Sequence, residues 1–160
     1  MIIPYNNTRA VEYAKRWALS RNPQYSDFSA IGGDCTNFAS QCLFSGVPVM
    51  NYTPTFGWYY KSLNNRSPSW TGVDYFYDFL VRNDQSLGPF GNTISPNEIK
   101  LGDYIQLSHD WSDYHHTLIV CGFSSGVPLI CAHSNDALMR PLSDYQYTSY
   151  RCIRILGARV

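Results

Sequence analysis

The sequence predicts a single α+β domain that spans residues 1–160. Two observations support this class. Regular helical patterns end by Leu80, and short runs rich in β-branched residues follow from Tyr104 onward, with no internal repeat. A chain of 160 residues is also long enough to bury a core without metal ions or disulfides.

The first helix is predicted from about Thr8 to Arg21. Asn7 or Thr8 is a suitable N-cap, and Asn22-Pro23 is a strong stop signal. One side of this helix is apolar, with Val11, Ala14 and Ala18. We expect that side to pack against the next helix.

The second helix is predicted to begin at Cys35 and to end at Gly46. Gly32 and Gly33 permit a sharp turn, and Asp34 is expected to cap the free amides of the first turn. A cysteine at this position lies at the positive end of the helix dipole, which favours the nucleophilic thiolate. Cys35 is therefore a candidate nucleophile.

A buried structural thiol is the alternative interpretation of Cys35. The helix has an apolar stripe formed by Phe38, Ala39, Cys42 and Leu43, and free cysteines are often buried in such cores. The choice depends on whether the rest of the chain supplies a base.

The middle of the chain is predicted to contain a loop, a helix and turns. Pro48 to Pro68 lacks periodicity and is expected to be a long ordered excursion over the surface. Val73–Leu80 is expected to form a short helix, which Gly88–Gly91 follows as a break. Ser95–Glu98 is expected to form a helical turn.

Four strands are predicted in the second half, at Tyr104–Leu107, Thr117–Cys121, Pro128–Ala132 and Cys152–Leu156. They are short and separated by Gly, Ser and Asp. This spacing favours an antiparallel sheet.

Composition and charge exclude several classes of function. Twelve basic residues balance twelve acidic ones, and no basic run could follow a phosphate backbone, so we expect no nucleic acid partner. No stretch is apolar for long enough to insert in a membrane, and Met1–Pro4 meets polar residues too soon for a signal peptide. We therefore expect either that the protein is released without an export signal or that this chain is an excised domain. Five cysteines without a CxxC pair indicate free thiols, and no metal or cofactor is expected.

Aromatic residues are abundant at 16%, with 13 tyrosines. This composition favours an open face with stacking surfaces for a sugar or peptide. Tyrosines half-buried on strands would give the same count.

His116 is the candidate base. It stands at the start of a predicted strand, where imidazole could accept the Cys35 proton and return it to a leaving amine. His133, Asn135 and Asp136 follow the next strand and could orient its second nitrogen. Each of these four residues is equally expected in a solvated turn or at a strand end.

Four segments together resemble the putative amidase domain family, which belongs with papain-like cysteine amidases and peptidases and is related to NlpC-like and CHAP cell-wall hydrolases. The resemblance covers most of the chain, and the order of the segments makes chance agreement improbable. The segments are Gly32–Cys42, Gly57–Tyr60, Gly102–Gln106 and His116–Val120.

The resemblance implies a papain-like (NlpC-like) α+β core, with the nucleophile at the start of a helix packed on an antiparallel sheet. It implies that Cys35 is the nucleophile and His116 the base. For the third member of the triad it favours His133 slightly over Asp136. Tyr25 is placed like the tyrosine that assists the oxyanion hole in NlpC-like enzymes.

The sequence therefore predicts a monomeric cysteine-dependent amide hydrolase that acts on peptidoglycan or a peptide, at the cell wall or outside the cell, without a cofactor. One alternative is a non-catalytic module that grips glycan or peptide with the aromatic residues Trp58, Tyr59, Tyr60 and Trp70. A thiol acyltransferase is the other, in which an amine replaces water.

Overall fold

The computed structural model describes all 160 residues, which form four α-helices and nine β-strands. The helices are α1 (Asn7–Trp17), α2 (Cys35–Gly46), α3 (Pro68–Thr71) and α4 (Val73–Arg82). The strands are β1 (Ile2–Ile3), β2 (Tyr60–Ser62), β3 (Asn65–Arg66), β4 (Gly88–Ile94), β5 (Tyr104–Ser108), β6 (Tyr114–Ser124), β7 (Val127–Ala132), β8 (Ala137–Pro141) and β9 (Ser149–Arg159). The predicted α+β class is confirmed.

Seven strands form one curled antiparallel sheet in the order β1-β9-β5-β6-β7-β8, with β4 on the other edge of β9. β9 is the longest-paired strand, because β4 follows one edge while β5 and β1 share the other. The four predicted strands are confirmed as parts of β5, β6, β7 and β9. β2 and β3 form a separate hairpin.

The prediction of a break at Gly88–Gly91 was wrong, since these residues begin β4. Proline is tolerated there because β4 is an edge strand that pairs only with β9. Gly91 lies at a register shift, where an added Cβ would meet the Arg154 carbonyl oxygen at 2.4 Å. The glycine therefore permits the close approach of the two strands.

The sheet has a separate apolar core on each face. The first core lies between the sheet and helices α1, α2 and α4, and its sheet residues include Tyr104, Ile119, Cys121, Cys131 and Ile153. The second core lies on the opposite face and includes Ile105, Leu107, Leu118, Val120, Ile130 and Leu142. Alternate residues of one strand thus face different cores.

The two long N-terminal helices pack as predicted, but both ends of α1 differ from the prediction. α1 is capped by Asn6, whose side chain accepts from the Arg9 amide at 3.0 Å, rather than by Asn7 or Thr8. α1 ends at Trp17, before the predicted Arg21. α2 has both predicted ends.

The segment from Pro48 to Pro68 is not only a surface loop, because Trp58 is fully buried. Trp70, just beyond it, is fully buried too, and the two ring centroids are 4.7 Å apart. Both indoles donate to α2, to Ser40 Oγ at 3.1 Å and Asn37 Oδ1 at 2.9 Å respectively. These rings belong to the first core, so they do not form an open stacking face for a ligand.

No helix has the length and apolar character needed to span a membrane.

Candidate functional site

Cys35 is the first residue of α2 and is 7% exposed. Its Sγ lies 3.7 Å from Thr36 Oγ1, which in turn lies 2.9 Å from Thr117 Oγ1 on β6. The Thr117 backbone lies close enough to the sulfur to lower the pKa of the thiol. The thiol is therefore held between the start of α2 and a central strand of the sheet.

The pKa of the Cys35 thiol is raised, although the helix-start argument predicts that it is lowered. Burial has the largest effect, because it disfavours the thiolate. Interactions with Thr117 and Thr36 lower the pKa, but burial outweighs them, and the negative charge of Asp34 also raises the pKa. Cys35 rests as a neutral thiol at neutral pH, so a reaction at this sulfur requires a base.

Asp34 is the N-cap residue of α2, but its side chain makes no capping hydrogen bond, contrary to prediction. Its carboxylate accepts from the Phe28 amide and from Asn37 Nδ2, both at 2.8 Å, and it bonds to His133 Nδ1. The carboxylate is therefore turned away from the first-turn amides. Those N–H groups remain available for another acceptor.

The side chain of His116 lies on the face of the sheet opposite α2. Its ring is 5.9 Å from the Tyr145 ring, and its cross-strand partner Leu107 and its neighbour Leu118 belong to the second core. Thr117 faces α2 instead. The backbone of His116 thus lies beside Cys35, but the two side chains form no hydrogen bond.

A register irregularity lies next to this histidine. Leu107 pairs with His116, whereas Ser108 pairs with Tyr114, which leaves His115 as an extra residue in β6. The exposed His115 ring stacks on His109 at 4.1 Å between centroids. Extra residues of this kind change the direction of the neighbouring side chains.

We expect the stability of the fold to depend on pH through His116. Burial, together with the smaller effects of the positive charges of His115 and Arg140, lowers its pKa to about 4. An unfolded histidine titrates near 6.5, so the unfolded chain binds more protons between these values. The free energy of unfolding should fall as the pH drops from about 6.5 to about 4.

Urea denaturation at a series of pH values measures this effect. His116→Gln should remove a large part of the slope, and the lowered pKa of His115 contributes in the same direction. His109→Gln, at an exposed position, is the matched control and should keep the slope. An unchanged slope in His116→Gln would contradict the assignment.

His133, the predicted orienter, lies on the α2 side of the sheet and is buried. Its Nδ1 bonds to Asp34, its Nε2 lies 2.8 Å from the Trp17 carbonyl oxygen, and its ring stacks on Phe38. Both nitrogens are occupied, and neither contacts His116. The structure therefore places His133 beside the residue that precedes Cys35, as a support for this turn.

Arg21 connects Asp136, another predicted orienting residue, to the turn that precedes Cys35. Its guanidinium forms a bidentate pair with Asp136, at 2.8 and 3.0 Å, and its Nε lies 3.5 Å from Asp34. His133 and Asp136 are thus brought together, but around Asp34 and Arg21 rather than around His116. Asn135 lies in the β7–β8 turn with φ of 62°.

Tyr25, the predicted oxyanion residue, is half-buried in an aromatic group. Its ring lies 5.1 Å from the Tyr60 ring and 6.0 Å from the Trp70 ring. Burial raises the pKa of its hydroxyl, and the hydroxyl makes no hydrogen bond. No hydrogen bond joins Tyr25 to Cys35.

Sequence reasoning missed a polar chain that begins at Thr117. Gln106 Nε2 donates to Thr117 Oγ1 at 3.2 Å, and Arg151 Nε donates to Gln106 Oε1 at 2.8 Å. The only local signal was a glutamine inside an apolar strand pattern. Such a residue needs partners when buried.

Two cavities on the surface of the molecule are not lined by Cys35. One of about 490 Å³ is lined by the loop from Asn51 to Gly57 and by α4. Another, more open one lies along α1, between Arg9 and Gln24. No three His, Cys, Asp or Glu side chains are arranged to hold a metal ion.

Comparison with known proteins places these residues in a family. The model of the family described as "Putative amidase domain" matches residues 4–156. "Uncharacterized protein YhbB" of Bacillus subtilis (strain 168) is 33% identical over 150 residues, or 91% of this chain. The chain spans about half of that relative, 47% of its length. No solved structure matches the chain.

Proposed function

The chain belongs to the putative amidase domain family, which indicates amide hydrolysis in general terms, and on this premise we propose that Cys35 is the nucleophile of a cysteine amidase or peptidase. One observation supports this choice above the others. The Cys35 sulfur lies where the start of α2 meets β6, beside first-turn amides that no carboxylate caps. A nucleophile and oxyanion donors are needed together for acyl transfer.

In the proposed reaction the Cys35 sulfur attacks the amide carbonyl carbon while a base takes the thiol proton. The α2 amide N–H groups donate hydrogen bonds to the oxygen on which negative charge develops. The C–N bond then breaks, and the amine leaves with the proton, so that a thioester remains on Cys35. Water, deprotonated by the same base, hydrolyses the thioester and restores the thiol.

His116 is the proposed base. Its backbone directly precedes Thr117, whose backbone lies beside the Cys35 sulfur. The low pKa keeps the ring neutral at neutral pH but makes it a weak base where it lies against Tyr145, so proton transfer from the thiol requires the ring to leave that position. Its ring must turn from Tyr145 to the α2 face for this step. The irregular register at His115 and His116 provides a place for such a turn.

We propose a papain-like architecture and a peptidoglycan substrate, acted on at the cell wall or outside the cell. The arrangement of α2 on an antiparallel sheet, with Cys35 first in the helix, is compatible with that architecture. The substrate follows from the resemblance to NlpC-like and CHAP wall hydrolases. The cleaved bond would be a stem or crosslink peptide bond, or the amide that joins the stem to its sugar.

Mass spectrometry of purified peptidoglycan after digestion tests this function. We expect new amine and carboxyl termini at one type of amide bond. Added glycine amide separates hydrolysis from acyl transfer, because a transferase would attach it to the new acyl terminus. Binding to insoluble wall without any new terminus would contradict an enzyme and favour a binding module.

A further inference from the structure

Arg151 on β9 has a side chain that is fixed in orientation, on the face of the sheet that carries α2. Its guanidinium lies between two aromatic rings, 3.6 Å from the Tyr77 centroid and 3.8 Å from the Tyr114 centroid. In the plane, Nε donates to Gln106 and Nη2 donates to Asp74 at 2.9 Å. Stacking on both faces and bonds on two edges fix its orientation.

This guanidinium keeps one edge without a partner. Nη1 makes no hydrogen bond and is not enclosed, so it faces solvent. Ser149, two residues earlier and on the same face of β9, has a buried Oγ that also lacks a partner. Of these two groups, Nη1 is the one that a further molecule can reach.

Arg151 is connected to the proposed nucleophile by a short path. Gln106 bonds to Arg151 through Oε1 and to Thr117 through Nε2, at 2.8 and 3.2 Å. Thr117 contacts both Thr36 Oγ1 and the Cys35 sulfur. Arg151, Gln106 and Thr117 are cross-strand partners on β9, β5 and β6, so the Arg151 and Thr117 positions lie about 10 Å apart, which is the length of about three extended residues of a peptide substrate.

We propose that Arg151 binds a carboxylate of the amide substrate and so selects acidic peptides. A fixed guanidinium pairs with carboxylates better than with neutral amides, because its N–H groups form charge-assisted hydrogen bonds. Its one ionic partner, Asp74, is exposed and leaves Nη1 for the ligand. This inference rests on the proposed function, because it assigns the substrate class of the Cys35 site.

Calorimetric titration of the Cys35→Ala protein measures binding without turnover. The two probes are soluble muropeptides with free carboxyl groups and the same muropeptides after their carboxyl groups have been converted to primary amides. We expect the free-carboxylate probe to bind about tenfold to a hundredfold more tightly, as one charge-assisted bond predicts. In Cys35→Ala with Arg151→Met, the two probes should bind equally.

Arg154→Met is the matched control, since Arg154 lies on the same strand but bonds to Asp103 and should leave the preference unchanged. Thermal unfolding identifies any variant that has lost its fold. If Arg151→Met does not fold, Asp74→Asn serves instead, because it keeps the arginine and should still bind the free-carboxylate probe more tightly than the amidated probe. Equal binding of both probes to the Cys35→Ala protein, or binding of neither, would overturn the role of Arg151. Failure of the wild-type protein to cleave wall, with the preference intact, would instead contradict the proposed function alone.

Discussion

Replacing Cys35 with alanine is expected to lower the rate of amide hydrolysis about a thousandfold or more. Removal of a covalent nucleophile eliminates the acyl-enzyme route, and the residual rate comes only from binding and oxyanion stabilisation. Release of new amines from peptidoglycan, followed at fixed enzyme concentration, measures this loss. The fold should remain, because the Cys35 side chain is small and its only side-chain hydrogen-bonding partner is Thr36.

Cys42→Ala is the matched control for this variant. Cys42 lies on the same helix and is fully buried in the first core, so its loss should cost stability but not the reaction. Cys35→Ala protein that hydrolysed wall at the parental rate would exclude a thiol mechanism. If the reaction did not involve a covalent intermediate on Cys35, the Cys35→Ala and Cys42→Ala proteins would hydrolyse the wall at similar rates.

Variants of the two neighbouring histidines identify the base in the same assay. His116→Ala should lose activity nearly as completely as Cys35→Ala, whereas His115→Ala should keep most of it, because the exposed His115 ring stacks on His109. The reverse result would assign the proton transfer to His115. Full activity in both would show that neither histidine takes the thiol proton.

Asp34→Ala is expected to destabilise the fold by about 3–5 kcal/mol, the cost of breaking a buried charged network on one side. Asp34 is fully buried, and its carboxylate serves the Phe28 amide, Asn37 and His133 at once. Without it, these donors and the nearby Arg21 lose their shared acceptor. Urea denaturation near neutral pH gives the free energy of unfolding.

Asp27→Ala provides the comparison, because Asp27 also pairs with Arg21, at 3.4 Å, but is about half exposed. An exposed pair contributes about 1 kcal/mol or less. Comparable losses in the two variants would contradict the importance of burial at Asp34. Asp34→Asn should fall between them, since it keeps an acceptor and loses the charge.

Local sequence patterns predicted the elements whose signals are local. The glycines and the apolar stripe were sufficient for both ends of α2, and β-branched runs were sufficient for β5, β6, β7 and β9. β4 was missed because its Gly and Pro content resembles a turn. Its pairing with β9, about 60 to 70 residues later, is a long-range effect that no local pattern contains.

The candidate site was only partly predictable for the same reason. Cys35 was found at its helix start, but the direction of the Asp34 carboxylate depends on His133, 99 residues away. The face that His116 occupies depends on the register with β5, which a one-residue irregularity changes. Arg151 gave no signal, because its stacking partners come from α4 and β6.

The central position of β9 affects how the chain reaches its native state during synthesis. β9 consists of residues 149–159, and it pairs with β1, β4 and β5 from earlier parts of the chain. Until these residues leave the ribosome, β4 has no partner and β5 has one bare edge. We therefore expect high contact order to make folding slow, with nascent chains that depend on chaperones until β9 is in place.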